Sequence, residues 1–375
     1  MKFKQPMKGD RGMETQKDKI CIIMTGGTIC SVPDAQGKNY SDAKTTNTRL
    51  TDYYFNKTTS PFKDSVKFDI KALAPDILSE NMTANAWGDL LKIFRDEVIF
   101  DDYKGIIVLH GTDTLAYTSA FLSYALAGIK IPVCMVSAQQ RLGEIDEKGE
   151  WHPNPKTNGY ANFRAAVELI MNSIAPNVYV VYKNESKFLV HYGEHLRQCA
   201  NFSNDFHSCD EMPILDVNNA KLAGKKAQSE GCLYKYVSDI SKGVLLLQPY
   251  TNLNYASVNL EGVKAVVHGT YHSESVCIGR ANEKCRASGK AQEDYELSDI
   301  VNEDRPYSIL YLLEKCDKRG IPVILAPCDK ETAMYGTTAN ACKRGAIPVG
   351  RSDVTLEATY AKTVLRYSLG NEIFY

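Results

Sequence analysis

Residues 21–31 read CIIMTGGTICS. An unbroken apolar run, Cys21 to Met24, enters Thr25-Gly26-Gly27-Thr28 and returns to apolar character at Ile29. Apolar and polar residues do not alternate in it, which suits a strand covered on both faces, as in a parallel sheet. The glycines supply a tight turn at its end. A turn has no need of threonines on both sides of it, so the second hydroxyl, Thr28, calls for a chemical role.

The same grammar recurs along the chain. Short β-branched runs ending in Gly, Thr or Pro lie at 105–110 (GIIVLH), 131–137 (IPVCMVS), 177–182 (NVYVVY), 243–248 (GVLLLQ), 263–269 (VKAVVHG) and 321–327 (IPVILAP). Between them, residues 114–127, 161–172, 306–319 and 353–369 repeat apolar residues at helical spacing. Alternating strands and helices predict an α/β fold with right-handed crossovers. A polar, lysine-rich break at 216–242 separates two such series. The expected organisation is a disordered tail (1–18), an N-terminal α/β domain (19–215), a linker (216–242) and a C-terminal α/β domain (243–375). Residues 33–60, polar and weakly patterned, read as a mobile loop or lid. The strings VLHGTDT (108–114) and VVHGTYHS (266–273) echo each other, too briefly to establish a repeat.

Composition excludes several classes. The 375 residues carry 44 basic and 45 acidic side chains, net −1, which argues against a dedicated nucleic-acid or membrane-surface binder. No apolar run approaches the roughly 20 residues of a membrane helix, and the charged N-terminus lacks an apolar signal region. Eleven cysteines, several in apolar runs and none in a CxxC pair, fit free thiols in a reducing, cytoplasmic compartment. His191 and His195 in HYGEH have helical spacing, but Gly193 and the lack of a zincin carboxylate argue against a metal site. No metal and no cofactor are expected.

Two strand ends carry matching equipment: Thr25-Gly26-Gly27-Thr28 and Gly111-Thr112-Asp113-Thr114. In open parallel sheets ligands bind beyond the carboxyl ends of strands. Glycines admit a ligand to the backbone, whose N–H groups can hold an oxyanion. A threonine hydroxyl there attacks a carbonyl carbon once a base takes its proton, and Asp113 suits a proton relay. For either loop alone, an N-cap in a strand-to-helix turn is an equally good reading. It leaves the pairing unexplained. Phosphate-loop patterns and a GxSxG elbow are missing.

TGGTI and HGTDTLAYTSAFLSYAL together resemble the two signatures of the bacterial-type L-asparaginases, with the cytoplasmic type I branch the nearest in pattern. SENMTANAW (79–87) and GRSDVTLEATYAK (350–362) extend the likeness from residue 19 through the rest of the chain. The resemblance implies a larger N-terminal, flavodoxin-like or Rossmann-like domain and a smaller C-terminal α/β domain. It implies hydrolysis of the asparagine side-chain amide through a threonine acyl-enzyme, in a homodimer or homotetramer. Thr28 would be the nucleophile, with Thr112 and Asp113 as the second catalytic pair. Gly27, Ser79, Glu80 and Gly111 would line the substrate site, and Tyr40 in GKNYSD would be the assisting tyrosine.

Departures from the family pattern accompany the likeness. Where the family has a lysine beside the Thr-Asp pair, counting back from NDF (204–206) gives Arg197, which cannot serve as a base. The expectation is an ion pair from Arg197 to Asp113. Asn81 and Asn158 stand where aspartates are expected, the segment 137–166 is longer, and TYHSESV (270–276) replaces a Gly-rich stretch. These leave open a related amidohydrolase acting on glutamine or a blocked asparagine, and a catalytically weak amino-acid sensor.

Overall fold

The strand predicted around Cys21 lies inside a seven-stranded sheet, with packed side chains on both of its faces. The computed structural model describes residues 18–33, 39–41, 43–185, 187–209, 212–213, 233–329, 334–350 and 354–370. The chain runs through β1 (Lys19–Gly26), β2 (Ser31–Pro33), β3 (Asn39–Ser41), α1 (Ala43–Lys57), β4 (Lys67–Ile77) and α2 (Ala84–Lys92). It continues through β5 (Gly105–Leu109), α3 (Leu115–Ala125), β6 (Val133–Val136), β7 (Gly143–Ile145), β8 (Trp151–Pro153) and α4 (Gly159–Met171). Three more strands complete the first half: β9 (Val178–Lys183), β10 (Phe188–Tyr192) and β11 (Met212–Pro213). The second half holds β12 (Val244–Leu247), β13 (Ala265–Gly269), α5 (Glu283–Ser288), α6 (Ile309–Asp317), β14 (Val323–Ala326), α7 (Gly336–Lys343), β15 (Ile347–Pro348) and α8 (Leu356–Ser368).

The larger sheet has the order β11-β10-β9-β6-β5-β1-β4 and is parallel from β9 through β4. The smaller sheet, β12-β13-β14-β15, is parallel throughout. All seven strands expected from sequence are present. Along β1, Cys21 and Ile23 face the core beneath α2 and α3, while Ile20, Ile22 and Met24 face the core beneath α1 and α4. This two-sided burial produces the unbroken apolar run. From β1 the chain crosses to β4 on one side and then returns to β5 on the other. The gap between β1 and β5 is therefore the switch point where this class of sheet opens a crevice.

Two expectations need correction. Residues 33–60 are not simply a loop: β2 and β3 pair as a hairpin and α1 covers Ala43–Lys57. Leu50 and Tyr54, four apart and each 1% exposed, anchor α1 to the core. Part of the expected linker is also built in, since Tyr234, Val237 and Ile240 are buried in the core beneath the first sheet. The remainder, 216–232, and the tail at 1–17 lie outside the described residues. The two halves share apolar contacts through α8, which packs against α3 and buries Leu356, Ala358, Ala361, Val364 and Leu365.

The sequence echo has a structural counterpart. β5 and β13 each run into a wholly buried histidine, and its Nδ1 lies against the carbonyl of the next glycine: His110 to Gly111 at 2.7 Å, His268 to Gly269 at 2.5 Å. Burial pushes both imidazoles down from 6.5 to about 4. They are held neutral in the folded protein and gain a proton at higher pH once unfolded. Their contribution to stability is complete above about pH 6.5 and is lost as pH falls toward 4. At ~1.4 kcal/mol per pH unit, each histidine accounts for about 3 kcal/mol over that window. Urea unfolding at pH 7, 5.5 and 4 should show a steep loss, and His268→Asn should flatten it by a sizeable share. An unchanged slope would contradict the assignment.

Candidate active site

Three strand ends converge at the switch point. Thr25, at the end of β1, donates its hydroxyl to the Leu109 carbonyl of β5 at 2.9 Å, and the Gly27 N–H reaches the Ile77 carbonyl of β4 at 3.0 Å. Gly27 has φ +79°, and a Cβ on it would lie 2.2 Å from the Gly111 Cα. A Cβ on Gly111 would lie 2.3 Å from Ser79 Oγ. Glycine is needed at Gly27 because the two loops touch backbone to backbone, and at Gly111 because Ser79 packs against it. Gly27 then caps the short helical turn Thr28–Cys30 and presents Thr28 half-buried beside the Gly111 loop.

Ser79, at the end of β4, is the hub. Its hydroxyl donates to Asp113 Oδ2 at 3.0 Å and accepts from the Asp113 N–H at 3.2 Å, while its carbonyl accepts the Thr114 hydroxyl at 2.8 Å. Asp113 is thereby oriented by a neutral donor. The hydroxyls of Thr28 and Thr112 make no hydrogen bond among the described residues, and neither do their backbone N–H groups. Two free hydroxyls and two free N–H groups, beside a carboxylate, can perform acyl transfer with an oxyanion site.

A cavity of 520 Å³ opens beside Thr112 and Asp113, walled by Gln139, Tyr182, Gln198, residues 199–204 and Phe206. Thr28 does not line it, so the cavity approaches from the Thr112 side. Among the described residues, Asp113 is the one carboxylate in its lining, and no lysine or arginine lines it.

Arg197 is not in this wall. Leu196 bridges Ser208 in extended backbone and is fully buried, so the next side chain must point the opposite way. Arg197 is accordingly exposed, with its Nη2 4.0 Å from Cys209 Sγ, and forms no ion pair with Asp113. Gln198 turns inward instead: its Nε2 donates to the Thr112 carbonyl at 3.2 Å and its backbone N–H to Glu357 Oε1 of α8 at 2.8 Å. Arg197→Ala should therefore keep kcat/KM within about threefold of wild type, the usual scale for a surface change. An ammonia-release assay showing more than a tenfold loss would restore Arg197 to the site.

A family model described as "Asparaginase, N-terminal" matches residues 19–229, more than half of the chain. The chain belongs to the asparaginase family. The L-asparaginase of Thermococcus kodakarensis is 25% identical over 364 residues, covering 94% of this chain and 93% of the relative. A glutamyl-tRNA(Gln) amidotransferase polypeptide of Methanosphaera stadtmanae is 26% identical over 278 residues, 70% of this chain and 58% of the relative. The chain thus spans about half the length of the amidotransferase relatives it matches. In fold, the L-asparaginase I of Vibrio cholerae superposes with a TM-score of 0.65 at 21% identity, covering 95% of this chain and 94% of the other.

Within this asparaginase-family chain, the remaining expected residues fall in different places. Glu80 and Asn81 are exposed in the turn Ser79–Asn81 and are not among the cavity's lining residues. Tyr40 pairs with Val32 in the β2–β3 hairpin that follows the Thr28 turn; its side chain lies outside the described residues. Asn158 is buried, accepting from the Gln139 N–H at 3.0 Å and donating to the Lys183 carbonyl at 2.9 Å. A carboxylate could not make the second bond, which accounts for the amide here. Gln198 escaped the sequence reading; the signal that finds it is the alternation beyond buried Leu196. No described helix is long and apolar enough to cross a membrane.

Proposed function

We propose that the protein is an L-asparaginase, hydrolysing the side-chain amide of L-asparagine to aspartate and ammonia. The observation that carries this reading is the Gly27–Gly111 contact, which joins the Thr28 loop to the Thr112-Asp113 pair and Ser79. Thr28 Oγ attacks the amide carbon, with Tyr40 of the adjoining hairpin assisting loss of its proton. The N–H groups of Thr28 and Thr112 receive the oxyanion. The C–N bond breaks as nitrogen takes a proton and leaves as ammonia, giving an ester on Thr28. Water then attacks the ester with Thr112 and Asp113 as the second pair, and Thr28 is released. Gly27, Ser79, Glu80 and Gly111 frame the substrate. Assembly as a homodimer or homotetramer and a cytoplasmic location belong to the same reading.

A second reading has a specific basis. The cavity lining is rich in amides and lacks a cation for a free α-carboxylate, and relatives named glutamyl-tRNA(Gln) amidotransferase match the chain. Both favour an amidohydrolase acting on glutamine or on a blocked asparagine. Ammonia release from asparagine, glutamine and N-acetyl-asparagine separates the readings. The first requires asparagine to be preferred by at least about tenfold in kcat/KM, a difference of ~1.4 kcal/mol. Release from none of them, with amino-acid binding by calorimetry, would instead favour the sensor reading.

A further inference from the structure

We propose that His110 is a positioning residue that aims the Thr112 N–H at the oxyanion. The inference rests on the amide-hydrolysis reading above. The carbonyl of Gly111 and the N–H of Thr112 belong to one peptide group, which is trans, so they point in opposite directions. His110 Nδ1 lies 2.7 Å from that carbonyl. A carbonyl oxygen only accepts, so Nδ1 carries the proton and donates. The Gly111 carbonyl is held on the buried side of the loop, and the Thr112 N–H is turned to the other side, where Thr112 lines the cavity. Among the described residues that N–H has no acceptor. A buried bond thus orients a donor that makes no hydrogen bond among the described residues.

Two further observations support the latch. His110 is wholly buried, and its Nε2 has no hydrogen-bond partner among the described residues. Nε2 thus makes no hydrogen bond to draw the proton to it, whereas Nδ1 faces the Gly111 carbonyl, which favours Nδ1 as the protonated nitrogen. The second sheet repeats the device for a structural purpose. His268 grips the Gly269 carbonyl in the same way, but its Nε2 is 2.8 Å from the Tyr255 hydroxyl. The following Thr270 spends its hydroxyl on the Pro327 carbonyl at 2.8 Å. Of two like latches, only the one at His110 precedes a threonine whose hydroxyl and N–H are both open.

The paired variants His110→Asn and His110→Gln separate positioning from packing. The asparagine amide nitrogen can occupy the place of Nδ1 and grip the Gly111 carbonyl; the longer glutamine places its amide near Nε2. His110→Asn should keep kcat within about fivefold. His110→Gln should lose about a hundredfold or more in kcat, the scale of one oxyanion donor, with KM within about threefold. Equal losses in both variants, or a fully active Gln variant, would overturn the inference while leaving the hydrolase reading intact. A long-range ¹⁵N–¹H correlation spectrum of the wild-type imidazole is the second measurement, independent of activity and of how the variants fold. It should show the Nδ1-protonated tautomer at neutral pH. An Nε2-protonated ring would refute the latch even if the wild type released ammonia, and if no amide were hydrolysed this spectrum alone would decide it.

Discussion

Thr28→Ala is expected to fold as the wild type does and to release ammonia from asparagine at less than about a thousandth of its rate. The side chain is half-buried and makes no hydrogen bond among the described residues, so its removal breaks no polar contact there and leaves the Gly27 turn in place. Loss of the proposed nucleophile would remove the covalent route altogether, an effect of ~4 kcal/mol or more on the barrier. Thr112→Ala should be comparably slow for a different reason. The first step can still occur on Thr28, but the ester then waits for water. Intact-mass measurement after mixing with substrate should show an acyl adduct on Thr112→Ala and none on Thr28→Ala. Retention of more than about a tenth of wild-type activity by Thr28→Ala would move the nucleophile elsewhere.

Gly27→Ala should force apart the two loops that meet at the site. Its Cβ would sit 2.2 Å from the Gly111 Cα and 2.3 Å from the Gly111 nitrogen, with backbone on both sides of the clash. Its φ of +79° is itself unfavourable for alanine. Relief requires the Thr28 and Thr112 loops to move apart, which separates the two halves of the reaction centre. We expect a stability loss of at least about 2 kcal/mol, several degrees in Tm, and activity down by about a hundredfold or more in the protein that remains folded. Calorimetry paired with an ammonia assay checks both. Near-normal activity in a merely destabilised protein would mean that the contact is scaffolding alone.

Most of the seven strands were legible because burial on both faces leaves a local mark, an unbroken β-branched run; β12, an edge strand and only partly buried, carries the same run. β4 left none: it is an edge strand, exposed along much of its length, and Lys67, Asp69 and Lys71 interrupt its apolar residues. α1 was illegible for a similar reason, being polar apart from a few anchors such as Leu50 and Tyr54. At the site, the placement of Thr28, Thr112 and Asp113 at neighbouring strand ends could be read because each sits within a glycine turn that marks itself locally; their chemical roles are the proposal. Arg197 could not be placed, since its direction depends on Leu196 being buried and Ser208 pairing across from it. Asn158 reads as a lost carboxylate until its two backbone partners, far apart in sequence, are seen.

The position of α8 sets an order of events in the cell. Every residue assigned to the reaction precedes residue 200, yet the face of α3 behind the Thr112 turn is covered by a helix that begins at Leu356. Glu357 of that helix holds the Gln198 backbone, and the Gln198 side chain holds the Thr112 carbonyl. A ribosome making this chain therefore releases all the chemistry early and its brace some 150 residues later. Until α8 emerges, the nascent N-terminal half exposes an apolar helix face and carries an unbraced threonine loop. Competence arrives late in translation, and a ribosome stalled before Leu356 would leave a product that is both inactive and prone to aggregation.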